Sequence, residues 1–158
     1  MTLHAVEGHT PPAPLVKTFN VVLRRVLLSP LGRRLPWAML LRFTGRRSGK
    51  RYSVPVTAHR DGSGLYALTP ARWRLNFRGG LDVEVTLSAR TTPMRGELVE
   101  DVPAVARTYL TRIAQLGLRE AGRQIGLRFA DGKMPTFEQV TELVEREHFA
   151  VLRLTPKP

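Results

Sequence analysis

The sequence predicts an α+β domain built on one curled, mainly antiparallel sheet of about six strands, with an amphipathic helix ahead of it and a helical insert before its last strand. Three observations carry this. Residues 38–100 hold five short runs that are continuously apolar or alternate with period two, joined by turns and one short helix instead of long crossovers. Residues 101–147 switch to helical spacing with capping residues at the starts. Pro55 lies inside an alternating run, and a proline there requires an edge, a bulge or a bend, as where a sheet curls or leaves room for a ligand.

Residues 1–14 hold His4, His9 and three prolines and lack the basic and apolar blocks of a secretory signal, so they read as a flexible tail before one domain over 15–158. From Leu15 to Leu28, Leu15, Phe19, Val22, Leu23, Val26 and Leu27 recur at helical spacing, with Lys17, Thr18, Asn20, Arg24 and Arg25 largely opposite. This amphipathic helix with a basic face ends at Pro30 and Gly32. The short apolar run Ala38 to Thr44 predicts a buried strand. After the polar turn Gly45 to Lys50, Tyr52, Val54, Val56 and Ala58 alternate with Ser53, Pro55, Thr57 and His59. Asp61-Gly62-Ser63-Gly64 then turns the chain into a strand over Leu65 to Thr69. Pro70 to Arg78 predicts a short helix stopped by Gly79-Gly80. Val83, Val85 and Leu87 mark the next strand, and Thr92 to Glu100 comes after a turn near Arg90. In the insert, Asp101 caps a helix carrying Val105, Ile113 and a core Tyr109, with Gly117 just past its end. Gly122 and Gly126 interrupt the stretch up to Asp131, Thr136 and Gln139 form a capping-box pair before another helix, and His148 to Leu154 predicts the last strand.

At 158 residues the chain is about one domain long, enough to bury roughly two-thirds of its unfolded surface. The absence of cysteine removes disulfides, thiolate nucleophiles and Cys-bound zinc, and it suits a reducing, cytoplasmic setting. The four histidines have no metal-ligand spacing, and there is no Gly-x-Ser-x-Gly elbow. A net charge of +12, with 25 Lys+Arg against 13 Asp+Glu, points to an anionic partner: nucleic acid, an acidic membrane face, or a phosphorylated or polycarboxylate ligand. The basic face of the first helix, Leu15 to Leu28, suits weak peripheral contact with an anionic membrane. Nucleic acid is disfavoured by an aromatic content of 7% and the lack of an interleaved basic and aromatic stripe.

The densest feature is Gly45-Arg46-Arg47-Ser48-Gly49-Lys50-Arg51, with four cations, a hydroxyl and two glycines in seven residues. Such a turn can aim backbone N–H groups, a Ser hydroxyl and cationic side chains at one phosphate or carboxylate cluster, and it equally suits a solvated basic hairpin. A Walker A loop is excluded: the spacing is one residue short, Arg51 replaces the Ser/Thr, and a strand comes next instead of a helix.

A strand ending in Thr44-Gly45-Arg46-Arg47-Ser48-Gly49-Lys50, then Val54-Pro55-Val56, a turn, another strand, and Trp73 and Asn76 before Gly79-Gly80, resembles the deazaflavin (coenzyme F420)-dependent nitroreductase family. The resemblance covers roughly Ala38 to Leu87 by motif and extends more loosely to Leu154. It implies a split β-barrel of the FMN-binding type and an oxidoreductase that binds F420 and transfers hydride to or from a quinone, nitro compound or other electron-poor molecule. It further implies that Arg46, Arg47, Ser48, Gly49 and Lys50 hold the phosphate and acidic tail. Val54, Pro55 and Val56 would run beside the ring system, and Trp73 with Asn76 would close the pocket. Tyr52 stands where relatives often carry Arg, and Arg72 where an aromatic or small residue is common. Related split barrels bind FMN or a tetrapyrrole, so a differently loaded or non-catalytic cofactor-binding protein is the alternative on the same fold.

Overall fold

The computed structural model describes residues 6–8, 13–62 and 64–157 and, in its first helix, side chains from Asn20 onward. His4, His9, Ser63 and the side chains of Leu15, Lys17, Thr18 and Phe19 lie outside the described residues. The described residues form two compact units: one takes in those up to position 10, Leu68–Ala71 and Val99–Val151, and the other takes in those from 13 to Ala67, Arg72–Leu98 and Leu152–Lys157.

Except for residues 68–69, 99 and 150–151, the strand ends that fall in the first, the second unit carries the main sheet. Its strands are β2 (Ala38–Thr44), β3 (Arg51–Thr57), β4 (His59–Asp61), β5 (Gly64–Thr69), β6 (Leu81–Leu87), β7 (Arg90–Val99) and β9 (Ala150–Pro156), in the order β3-β2-β6-β7-β9-β5-β4. The two edge strands, β3 and β4, are consecutive in the chain and separated only by Ala58. A seven-stranded sheet whose opposite edges are one residue apart must curl round on itself, which gives a split β-barrel. The side chains agree. Met39, Leu41 and Phe43 of β2, Leu65 and Ala67 of β5, Val83 and Val85 of β6, Met94 of β7, and Leu152 and Leu154 of β9 share one buried cluster with Phe77, and Tyr52, Val54 and Val56 of β3 pack against it. The alternate residues Ala38 and Leu40 face outward and pack with Leu23 and Leu27 of α1 (Ala13–Leu28) and with Leu35. Burial on both faces explains why β2 reads as a continuous apolar run.

The structure corrects several sequence expectations. The main sheet has seven strands against about six expected, because the run 52–59 breaks at Ala58 into two strands; two further short strands pair with each other in a separate sheet. Pro55 is accommodated as predicted by an edge, since β3 has a neighbour on one side only. The segment after α1 adds a 3₁₀ turn over Pro30–Arg34, capped by the Ser29 hydroxyl, and the helix expected over 70–78 is a 3₁₀ helix over Arg72–Phe77. The turn near Arg90 is a two-residue hairpin, Ser88-Ala89, with both residues at positive φ, as the twist of a tight hairpin demands.

The other unit is mainly helical, with β1 (Val6–Gly8), α2 (Val102–Leu116), α3 (Leu118–Ile125), β8 (Leu127–Phe129) and α4 (Phe137–Glu147). The Asp101 carboxylate caps α2 by accepting from the Ala104 N–H, and Thr136 and Gln139 form the predicted capping box on α4. Tyr109 is buried and stacks on Phe149, as its apolar face implied. The stretch read as a tail contains β1, which pairs with β8 and is held by Arg146 and Glu147 of α4: Arg146 donates to the Val6 carbonyl and Glu147 accepts from the Gly8 N–H. His148 does not begin the last strand. It ends α4 in the left-handed conformation, φ 56°, and β9 starts at Ala150.

Candidate functional site

Gly45–Lys50 is the turn between β2 and β3, closed by its own backbone: the Gly45 N–H donates to the Lys50 carbonyl and the Gly49 N–H to the Gly45 carbonyl. Gly49 takes positive φ with open space around it, while Gly45 is buried so tightly that a Cβ would fall 2.9 Å from both the Ser48 hydroxyl and the Tyr52 ring. The two glycines therefore have different jobs, one conformational and one steric. Ser48 Oγ accepts from the Lys50 N–H, which tightens the turn further.

The turn is also fastened to the Arg72–Phe77 helix, thirty residues on. Asn76 Oδ1 accepts from the Arg46 N–H at 2.9 Å, and Asn76 Nδ2 donates to the Trp73 carbonyl at 2.8 Å. The Arg46 guanidinium reaches over the helix end and donates to the carbonyls of Arg78 and Gly80. Arg46 and Asn76 thus spend their first hydrogen bonds on holding the turn in place. Arg47 and Lys50, with Arg51 beside them, are exposed and carry the charge outward.

Beside this turn lies an aromatic group of which only Trp73 was expected at the site. Phe43 stacks on Tyr52 with centroids 5.1 Å apart and 4° between planes, and it meets the edge of Phe77 at 4.7 Å. Trp73 packs on Phe43 at 5.9 Å and on Phe77 at 6.1 Å, half-buried, so one part of the indole belongs to the core and another is open. Tyr52 signalled its place by lying one residue past the cations in an alternating run; Phe43 looked like any strand residue. Register separates the three residues expected beside a ring. Val54 and Val56 oppose Leu41 and Met39 on the inner face, whereas Pro55 opposes Leu40 on the outer face. Only the two valines share a face with Tyr52 and the aromatic group.

None of the ten residues singled out in the sequence lines the larger cleft of this unit. That cleft, about 660 Å³, nonetheless adjoins the aromatic group: Phe43 and Tyr52 line it together with polar residues that include Arg42, Arg51, Asp82 and Glu84. Arg42 pairs with Glu84 at 3.3 Å, yet its buried Nε has no hydrogen-bond partner. The Lys157 ammonium, and Arg95 after it, hold the Asp82 carboxyl below the usual carboxylate range. A smaller cleft of about 290 Å³ has Arg60 and Arg90 among its lining. Among the described residues no group of His, Asp or Glu is placed to hold a metal ion.

No protein-family model matches the chain, and no curated protein matches it. Among solved structures it is similar to the heme storage protein HutZ from Vibrio cholerae, at 13% identity over 94% of this chain and 92% of that one, with a TM-score of 0.44. It is similar to a candidate 5-nitroimidazole antibiotic resistance protein from Bacteroides thetaiotaomicron at 10% identity over 100% and 91% of the two chains, TM-score 0.40. It is also similar to ChuZ from Campylobacter jejuni at 10% identity over 94% and 55%, TM-score 0.36. At these identities and TM-scores the likeness assigns no residue, so the site rests on the geometry of its turn.

Proposed function

We propose that the β2–β3 turn and the aromatic group beside it bind coenzyme F420, a deazaflavin with a phosphate and an acidic tail, and that the protein is an oxidoreductase acting on an electron-poor small molecule such as a quinone or nitro compound. One observation carries this reading: the turn that exposes Arg47 and Lys50 is fixed through Arg46 and Asn76 to the helix that carries Trp73, and it leads directly into Tyr52, both rings packing on Phe43. A ligand with an anionic end and a flat conjugated body needs these two surfaces side by side. The residues fit such a group, since exposed cations favour the anion and half-buried aromatic faces can stack on a ring.

Arg47 and Lys50 bind the anionic end through charge-assisted hydrogen bonds, with the Ser48 hydroxyl and the Gly49 backbone assisting. Arg46 and Asn76 act mainly by keeping the turn where those cations point. Trp73, Val54 and Val56 supply apolar surface for the ring, and Pro55 shapes the edge strand from the other face. When bound, the deazaflavin supplies the hydride chemistry, so the protein needs no nucleophile or metal of its own. Titration of the purified protein with F420, read by deazaflavin fluorescence, tests the reading, with FMN and haem titrated in parallel. Saturable quenching by F420 and oxidation of its reduced form by a quinone is the expected result. Tighter binding of FMN or haem moves the site to the differently loaded alternative, and no binding of any of the three removes the proposal.

A further inference from the structure

Among the described residues, large exposed apolar side chains are few, and they are gathered. Of the six large ones exposed among the described residues, five are Val21, Val22, Leu28, Leu31 and Trp37, all on α1, the Pro30–Arg34 turn and the link into β2. Val22 and Leu31 are 56% and 55% exposed. On α1, Val21, Arg25 and Leu28 stand at i, i+4 and i+7 and so form one stripe, away from Leu23 and Leu27, which pack on the barrel. The outward face was expected to be basic, with Val22 on the opposite apolar face; Val22 is exposed instead, so the outward face is basic and apolar together. The fold needs only the inner stripe, so the outer one calls for a partner.

Charge identifies the partner. Arg25, Arg33 and Arg34 are exposed among these apolar side chains, and residues 8–60 contain eleven Lys or Arg and no Asp or Glu. A second copy of the same face would oppose cation to cation. Anionic lipid headgroups complement it: Val, Leu and Trp suit the headgroup and acyl boundary, and arginines reach outward to phosphates along their apolar stems. Among the described residues no helix is long and apolar enough to cross a membrane. We propose that the outer face of α1, the Pro30–Arg34 turn and Trp37 form a docking surface for an anionic bilayer, lying in the plane of the headgroups.

Co-sedimentation with vesicles of phosphatidylcholine, alone or mixed equally with phosphatidylglycerol, tests this without any cofactor present. The parent is expected to bind the mixed vesicles and not the neutral ones. Arg25→Gln, Arg33→Gln and Arg34→Gln should each lower the partition coefficient about fivefold. The combined Val22→Ser, Leu28→Ser and Leu31→Ser variant keeps every charge and should lose at least about tenfold, because the lost apolar burial is worth more than one such charge. Binding should shift the Trp emission to the blue in the parent and in Trp73→Phe, and not in Trp37→Phe. The proposal is overturned if the parent ignores the mixed vesicles. It is also overturned if the triple serine variant binds as the parent does, which would leave only the general attraction of a +12 chain. A parent that sediments as a dimer dispersed by the same serines would assign the face to a second copy instead.

Discussion

Arg46 and Arg47 are adjacent and chemically identical, yet they are held by different things. Arg46 is tied to three backbone or side-chain acceptors on the Arg72–Gly80 segment, and Arg47 is exposed with its charge outward. Removing Arg47 or Lys50 should therefore weaken binding of an anionic deazaflavin and leave the fold alone. A charge-assisted hydrogen bond contributes roughly 1.5–3 kcal/mol, so Arg47→Ala and Lys50→Ala should each raise Kd by about one to two decades, and added salt should matter less to the variants. Arg24→Ala, whose guanidinium donates to the Asn20 carbonyl on α1, should change neither. Fluorescence titration at two salt concentrations reads both effects, and parent-like binding by both loop variants would move the anion site elsewhere. Trp73 gives a second residue-level expectation. A fully buried aromatic costs about 3–5 kcal/mol on truncation; Trp73 is half-buried, so Trp73→Ala should lose less than that while still weakening cofactor binding. Loss of folding with no binding defect in the folded fraction would make it a core residue only.

Strands with at least five residues were readable from sequence because alternation or a continuous apolar run needs that length to show. β2, β5 and β6 appear where the pattern put them, β3 stops two residues short and β7 starts two residues early, and the capped starts of α2 and α4 lie where expected. Three-residue strands such as β1, β4 and β8 have no period to detect, and they form because a partner offers unpaired backbone groups. His148 was misplaced because a helix usually ends in the left-handed conformation on glycine, and histidine is among the few other residues that tolerate it. At the site, the cations and glycines were legible as a cluster, but the tie from Arg46 to a helix thirty residues away was not, since no local pattern encodes it. Gly96 is a further contact hidden from the sequence. It lies in β7 opposite Leu81, and a Cβ there would fall 2.6 Å from a ring carbon of the fully buried Phe77. Gly96→Ala should therefore cost about 1–3 kcal/mol by overpacking. Gly62→Ala, with ordinary φ and open space, should be neutral or slightly stabilising. Urea unfolding of both variants checks the contrast, and equal midpoints would mean that β7 shifts at no cost.

At the scale of the whole molecule, an excess of twelve positive charges means that each carboxylate matters more than its own contact suggests. Asp82 is the clearest case, because it serves two cations at once: Lys157 Nζ lies 2.8 Å from it and Arg95 Nη1 3.2 Å, so it links the end of the chain to the β6–β7 pair. Lys157 first, and Arg95 second, lower its pKa in the folded state. A group with a lowered folded pKa stabilises the fold above its unfolded value, about 3.9 for Asp, and that contribution disappears as the pH falls from there through the lowered value. Protonation of the other carboxylates over the same range increases the net positive charge, so the two effects act in the same direction. Asp82→Asn removes the pair at every pH. Its melting temperature should therefore lie below that of the parent near neutrality, and the gap should close as the pH is taken below about 3.9. The group is exposed, so the gap should be small and should shrink on adding salt. A gap that stays constant or widens on acidification would show that Asp82 acts through something other than its charge.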